Sequence, residues 1–250
     1  MTRIITVFMS ASEMKTKYLI GTCVVNEGEK IRRVIRKLND FPDYGVLIID
    51  DGSTDDSLRN IKHPSLNIIR NTINQGAGYC VRQILAYARD NSYEAVFFIS
   101  GNDKDDPADI EKLKKAVEAG HDFVQGSRYL KGGEFGGMPF YRKISTRFIH
   151  PILFSLITGK KITDSTNGFR AVRLSVLKDK RINLNQSWLD RYELEPYLFY
   201  KVITLGYKVT EVPVRKLYPP KQEGYTKMKP ITGWWSILRP LIYLGLGIKK

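Results

Sequence analysis

Along the first 126 residues, apolar runs short enough for strands alternate with apolar positions spaced for helices. Tyr18 to Val25 is a nearly unbroken apolar run and predicts a strand, after which Ile31, Val34, Ile35 and Leu38 fall at i, i+3, i+4 and i+7 on one helical face. Gly45 to Asp50 and Leu66 to Arg70 repeat the strand pattern, and Ala77, Val81, Ile84, Leu85 and Ala88 mark a second amphipathic helix. Ala95 to Ser100 reads as a fourth strand. Asp106 is then placed to cap a helix that opens on Pro107, buries Ile110, Leu113 and Val117, and stops at Gly120. Asp122 to Gly126 supplies a fifth strand. Such alternation predicts βαβ units and an α/β fold with a mostly parallel central sheet covered by helices on both faces.

Beyond Gly126 the pattern changes. Arg142 to Thr158 reads as an amphipathic helix, with Phe148, Ile149, Ile152, Leu153 and Leu156 set to line either a groove or the core. Leu198, Phe199, Val202 and Ile203 define another helix. Pro196 fits only its first turn, so the helix is placed from near Glu195, with Glu193 and Glu195 at its positive end. A strand follows at Tyr207 to Lys216. The most hydrophobic stretch, Ile231 to Ile248, is interrupted by Arg239-Pro240 and diluted by Gly233, Gly245 and Gly247, whereas a membrane-spanning helix needs about 20 mostly apolar residues. Arg215, Lys216, Lys221, Lys227 and Lys229 precede Trp234-Trp235, a mixture suited to lying at a bilayer interface, although packing of these aromatics on the domain or between subunits is the competing reading. The expected organisation is an extension at 1–17, a main domain at 18–216 divided at residue 126, and a basic, aromatic segment at 217–250.

Composition narrows the class. With 250 residues, 42% of them hydrophobic and 26% charged, the chain has the apolar mass for one α/β domain with a short appendage and is not a disordered or collagen-like polymer. Lys+Arg 40 against Asp+Glu 26 gives +14, and Gly126 to Arg181 alone holds 12 basic and 3 acidic residues, which biases that half toward phosphate-bearing partners. Cys23 and Cys80 sit in apolar contexts, Met1 to Lys17 lacks the layout of a secretory signal, and His63, His121 and His150 lack metal-ligand spacing. A reducing, cytoplasmic location is expected.

Ligands of open α/β sheets sit beyond the carboxyl ends of strands. Three polar clusters occupy those ends: Asn26-Glu27, Asp50-Asp51-Gly52-Ser53, and Ser100 through Asp106. Any one of them alone is equally read as a turn or helix cap, Asp50 and Asp106 in particular. Asn74-Gln75-Gly76-Ala77-Gly78 adds backbone N–H groups at a helix start, where a phosphate can be met.

In order and spacing, Val25-Asn26-Glu27, Asp50 to Asp55, Asn74 to Gly78, Asp105-Asp106-Pro107, Gly126-Ser127-Arg128-Tyr129 and Asp164 to Arg170 resemble the family 2 glycosyltransferases of the GT-A nucleotide-diphospho-sugar fold, within them the polyprenyl-phosphate (dolichol-phosphate mannose or glucose) synthase-like group. The resemblance spans roughly residues 18 to 216. It implies a hexosyltransferase that carries a sugar, with inversion, from a UDP- or GDP-linked donor to a polyprenyl phosphate, peripherally bound on the cytoplasmic face of a membrane. On the donor side it implies Asn26, Glu27 and Asp51 at the base and ribose, Asp50 supporting that loop, and Asn74, Gly76, Gly78 and Asn102 nearby. On the acceptor side it implies Arg128, Arg142 and Ser145 at the lipid phosphate, with Arg170 a further candidate.

One departure stands out. The aspartate pair that holds Mg²⁺ or Mn²⁺ in the resembled enzymes corresponds here to Ser100 and Asn102, so ligation would fall to Asn102 with Asp103 or Asp105, while Lys104 offers a positive charge of its own. Asp103, Lys104 and Asp105 are thus the catalytic candidates. A hydroxyl acceptor needs a base, for which Asp105, Glu193 and Glu195 are available, whereas an ionised phosphate needs only positioning. The alternatives are transfer to a glycan hydroxyl, a donor-binding protein without turnover, and a basic nucleic-acid-binding protein. The last lacks interleaved aromatic and arginine strands, so no nucleic acid partner is expected. No redox cofactor is expected either: a nicotinamide enzyme would need a G-x-G-x-x-G after the first strand, and a sugar nucleotidyltransferase a glycine-rich, basic opening there.

Overall fold

The computed structural model describes residues 3–4, 16–219 and 230–249. An eight-stranded sheet forms the centre. Strands β1 (Arg3–Ile4), β2 (Tyr18–Val24), β3 (Tyr44–Asp51), β4 (Leu66–Asn71), β5 (Ala95–Phe98), β6 (Phe123–Ser127), β8 (Arg170–Arg173) and β9 (Val209–Pro213) lie in the order β1-β4-β3-β2-β5-β8-β6-β9. A separate parallel ribbon pairs β7 (Glu134–Gly136) with β10 (Arg215–Leu217). Strands β4, β3, β2 and β5 run parallel, as the alternation predicts.

Each residue of β3 is buried, which fits a strand covered on both faces and its unalternating apolar sequence. One cover consists of α1 (Glu29–Leu38) and α3 (Ile110–Glu118), whose stripes Ile31, Val34, Ile35, Leu38 and Ile110, Leu113, Val117 share a core with Tyr44, Val46, Ile48 and Phe97. The other consists of α2 (Ala77–Asp90), α5 (His150–Thr158) and α6 (Leu194–Thr204), packed on Leu19, Leu47, Val96 and Phe123. Asp106 does cap, accepting from the Ala108 N–H at the head of a 3₁₀ turn, Pro107–Asp109, that leads into α3.

The second half departs from the expectation in three places. Arg170–Arg173 forms β8, antiparallel to both β5 and β6 and inserted between them. A four-residue strand that is nearly all buried and contains two arginines carries no periodic signal. The predicted strand at Tyr207 to Lys216 breaks in two: β9 continues the main sheet and β10 leaves it, since Pro213 has no N–H to carry the ladder onward. The predicted helix at Arg142 to Thr158 begins earlier, as α4 (Phe140–Ile144), and passes through a π turn at Ser145–Ile149 before α5.

The C-terminal helix α7 (Pro230–Gly245) packs on α5 and α6 through Leu241 and Leu244, so this helix is docked on the main body. Among the described residues no helix is long and apolar enough to cross a membrane. Lys221, Lys227, Lys229 and most of 1–17 lie outside the described residues.

Close approach at the head of α2 makes a test. Gly78 donates its N–H to the Arg191 carbonyl (2.6 Å), and a Cβ there would collide with the Leu189 carbonyl oxygen. Gly120 instead has φ +91 with open space around its missing Cβ. Gly78→Ala is expected to cost about 3 kcal/mol through forced backbone movement, and Gly120→Ala about 1 kcal/mol through left-handed strain alone. Chemical denaturation of the two variants checks the order, and equal losses would contradict it.

Candidate functional site

The loops that leave the carboxyl ends of β2, β3 and β5 converge on one cavity of about 600 Å³. Its lining brings together Asn26, Glu27, Asp51, Asn74, Gly76, Asn102 and Lys104 from the first half with Arg128, Arg142, Ser145, Arg170 and Glu195 from the second. Asp50, Gly78, Asp103, Asp105 and Glu193 are expected site residues that do not line it.

On the first-half wall, short polar side chains are spent on joining loops. Asn26, at φ +48, accepts at Oδ1 from the Thr54 N–H (2.8 Å) and donates its own N–H to Ser53 Oγ (3.0 Å). Asp50 is fully buried, accepts from the Ser53 N–H (2.9 Å) and pairs with Arg70 (2.8 Å), so its role is to hold the turn. Asp51 accepts from the N–H groups of Gln75 and Gly76 (both 2.9 Å) and from Asn71 Nδ2 (2.9 Å). The Cys80 thiol meets the same carboxylate, which borders the cavity. Cys23 and Cys80 are free thiols on this wall.

The loop after β5 is arranged differently from the expectation. Asp103 sits at φ +56, a backbone state that sends its carboxylate away from the cavity to Arg33 Nε (2.6 Å) and Lys37 Nζ (2.8 Å) on α1. Asp105 is buried between Lys216 Nζ on one oxygen and the Ser100 N–H (2.9 Å) and hydroxyl on the other. Asp103 and Asp105 are therefore corrected from catalytic candidates to supports of this loop, and Asp103 from a metal ligand as well. Lys104 does face the cavity, with Nζ 4.5 Å from the centre of the Tyr218 ring. Burial, with Lys216 and Arg142 nearby, pulls its ammonium down to about 7.

The second-half wall is cationic. Arg128 is buried and makes a two-pronged pair with Asp164 (2.7 and 2.8 Å), adding a bond to Thr166 Oγ1 (2.7 Å). Burial opposes both charges, but each outweighs that penalty for the other: Arg128 is raised and Asp164 held below the carboxylate range. The loop carrying Asp164 hangs from Glu211, which accepts from the Thr163 and Asp164 N–H groups (2.8 and 3.0 Å). Arg170 contacts Glu195 (3.3 Å). Arg142 has no carboxylate partner among the described residues and also lies over the Tyr218 ring, 5.8 Å from its centre. Ser145, the first residue of the π turn, is buried at the cavity wall. Glu193 is instead a tether, accepting from Arg239 and from Ser236 Oγ (2.6 Å) on α7, and is corrected from an acceptor-site residue.

Sequence reasoning did not assign Lys216, Tyr218, Arg191, Tyr192, His150 or Ser165 to this cavity. One signal was available for Lys216: in β10 it is the single inward position between exposed Arg215 and Leu217. His150 and Ser165 meet at 2.7 Å only because the π turn and the Asp164 loop fold together, which no local spacing encodes.

The implied divalent cation does not match these residues. Asn102 presents a neutral oxygen that is buried and has no partner among the described residues, while the two neighbouring carboxylates are held by lysine and arginine side chains. No cluster of three metal-ligating side chains exists among the described residues.

The model of the family Glycosyl transferase family 2 matches residues 19–180. The chain is 26% identical over 210 residues to polyprenol monophosphomannose synthase of Mycolicibacterium smegmatis, covering 81% of this chain and 77% of that one. It is 25% identical over 209 residues to undecaprenyl-phosphate mannosyltransferase of Micrococcus luteus, covering 81% and 84%. The fold matches the crystal structure of glucosyl-3-phosphoglycerate synthase from Mycobacterium tuberculosis in complex with Mn²⁺, uridine diphosphate and glucosyl-3-phosphoglycerate, with a TM-score of 0.63 at 16% identity over 98% of this chain and 87% of that one.

Lys104 ties stability to pH. Its folded value, about 7, lies below the ordinary 10.5, so between these values the unfolded chain holds a proton that the folded chain has released. Its burden is full below pH 7 and fades as pH rises toward 10.5. Lys104→Met should therefore melt higher than the parent at pH 6, by roughly 2–4 °C for each kcal/mol relieved, with more than half of the gap gone by pH 9.5. A gap independent of pH in thermal-shift measurements would contradict this.

Proposed function

This chain belongs to glycosyl transferase family 2, and on that premise we propose that it moves a hexosyl group from a UDP- or GDP-linked sugar to a polyprenyl phosphate at a membrane surface facing the cytoplasm. The observation that carries the reading is a single cavity with strand-end loops and Asp51 on one wall and Arg128, Arg142 and Arg170 on the other. The two relatives named for polyprenyl or undecaprenyl phosphates support the acceptor class.

In this reading the donor's base and ribose lie along Asn26, Glu27 and Asp51, with Asn74 and Gly76 beside them. The acceptor's phosphate enters against Arg142, which has no carboxylate partner among the described residues, and Ser145. A phosphate oxygen then attacks the anomeric carbon from the face opposite the diphosphate. As the new C–O bond forms, the old one breaks and its electron pair leaves with the diphosphate. The nucleophile is already ionised, so no base is required; the chain's part is positioning and charge stabilisation. Of the three expected bases only Glu195 borders the cavity, beside Arg170, which leaves little provision for a hydroxyl acceptor.

A surface for the lipid lies on the other side of the same helix. Phe140, Ile144, Phe148, Ile152 and Leu156, four residues apart through α4, the π turn and α5, are 74%, 38%, 51%, 56% and 73% exposed, while Arg142, Ser145 and His150 point into the cavity. Trp235 and Ile242 of α7, with Leu246 and Ile248 just beyond it, are also exposed. Apolar surface on this scale, joined by Lys143 and Arg147, suits an anionic bilayer. The free thiols Cys23 and Cys80 fit a reducing compartment.

The experiment offers the purified protein UDP- and GDP-linked sugars with polyprenyl phosphate or with soluble glycans. Glycolipid formed only when both donor and polyprenyl phosphate are present is expected, and product on a glycan alone would transfer the acceptor role to a hydroxyl with Glu195 as its base. Asp51→Asn should weaken donor binding about tenfold, one well-placed hydrogen bond's worth, and Arg142→Ala should raise the lipid KM about tenfold while sparing donor affinity. In flotation with anionic vesicles, Phe148→Glu with Ile152→Glu should release the protein from the membrane fraction. Undiminished flotation would reject this helix as the docking face.

A further inference from the structure

We propose that the ammonium groups of Lys104 and Lys216 take the place of a divalent cation at the donor diphosphate, so that this chain binds and uses its donor without a metal. The inference deepens the proposed function and rests on its donor reading.

Three observations carry it. First, the loop after β5 has no carboxylate to spare for a cation. Positions 100 and 102 are Ser and Asn, Asp103 is turned to Arg33 and Lys37, Asp105 is closed off by Lys216 and Ser100, and Asp106 caps the following turn and meets Arg215. Second, two lysines are built into that place. Lys216 is the inward residue of β10, buried, with Nζ 3.3 Å from Ser100 Oγ, and both lysines border the cavity. The Leu217 N–H donates to the Lys104 carbonyl (2.8 Å), which fixes the loop to β10, and the Tyr218 ring steers the Lys104 side chain. Third, seven cationic side chains border the cavity (Lys30, Lys104, Arg128, Arg142, Arg170, Arg191, Lys216) against three carboxylates (Glu27, Asp51, Glu195). Each of those carboxylates is engaged within the protein, Glu27 by Lys30, Asp51 by backbone N–H groups and Glu195 by Arg170. Asp105 and Asp164, just outside the lining, balance Lys216 and Arg128, and the surplus of two positive charges that remains favours a polyanion over Mn²⁺ or Mg²⁺.

The transfer balances without a metal. The bond between the anomeric carbon and the diphosphate oxygen breaks, its electron pair stays on that oxygen, and the diphosphate gains one negative charge as the acceptor oxygen bonds to the carbon. The bound diphosphate favours the charged form of Lys104, which stabilises the developing charge by donating a hydrogen bond and keeps its proton. Asn102 Oδ1, buried without a partner among the described residues, is then an acceptor for a sugar hydroxyl instead of a metal ligand.

Calorimetric titration of the EDTA-treated protein with UDP and with GDP, repeated in saturating Mn²⁺ and Mg²⁺, tests this. Affinity for the preferred nucleotide should change less than about threefold on adding metal, and Lys104→Met should lose about tenfold or more, the scale of one charge-assisted contact. Because unpairing Asp105 threatens folding, Lys216 is tested as Lys216→Met with Asp105→Asn, and the same loss is expected while circular dichroism stays at the parent's. Metal raising the parent's affinity more than about tenfold, or Lys104→Met binding as the parent does, overturns this inference and leaves the donor site standing. Binding of neither nucleotide under any condition overturns the donor reading and this inference together.

Discussion

A lysine and an aspartate buried against each other, Lys216 and Asp105, hold the two halves of the cavity together. Asp105 belongs to the loop that leaves the central sheet after β5, and Lys216 to a ribbon that has already left it. Their contact recruits Ser100 and places the Lys104 backbone within reach of Leu217, so the direction of the whole 100–106 loop depends on it. Removing one member of such a pair costs about 3–5 kcal/mol, because the other is left charged and dry. The same loop would be a poor turn on its own, as Asp103 shows by sitting in a left-handed conformation that L side chains rarely adopt. Its shape is imposed from the far side of the chain.

What was readable in the sequence follows from how far each signal reaches. The strands and helices of the first 126 residues announce themselves because each buries a face defined by its own period, and Asp106, Pro107 and Gly120 mark a helix by chemistry that acts within one turn. Asn26, Asp51 and Asn102 were legible as a common cavity, since strand ends of a parallel sheet share an edge. β8 was not legible. It is buried by long-range pairing with β5 and β6, and its arginines point to partners supplied from other segments. For the same reason Glu193, Asp103 and Asp105 looked like site residues: a carboxylate beside a strand end or helix start reads identically whether it meets a ligand or a distant arginine or lysine.

The two walls obey different physics. On the first, small polar groups accept from backbone N–H groups, so the loops are fixed with little net charge. On the second, Arg128 and Arg170 are buried and balanced by Asp164 and Glu195, a costly arrangement that persists only with well-made hydrogen bonds. The Glu211 carboxylate, raised by its own burial, braces the loop that makes this balance possible.

The helix from Phe140 to Thr158 is both cavity wall and outer surface, since Arg142 and His150 face inward while Phe148 and Ile152 face out. Only its own thickness, about 10 Å, therefore separates the two environments. If the acceptor is the proposed lipid phosphate and the outer face rests on a bilayer, a phosphate at headgroup level has roughly that distance to travel to meet Arg142, and its tail can stay in the bilayer while the headgroup reacts.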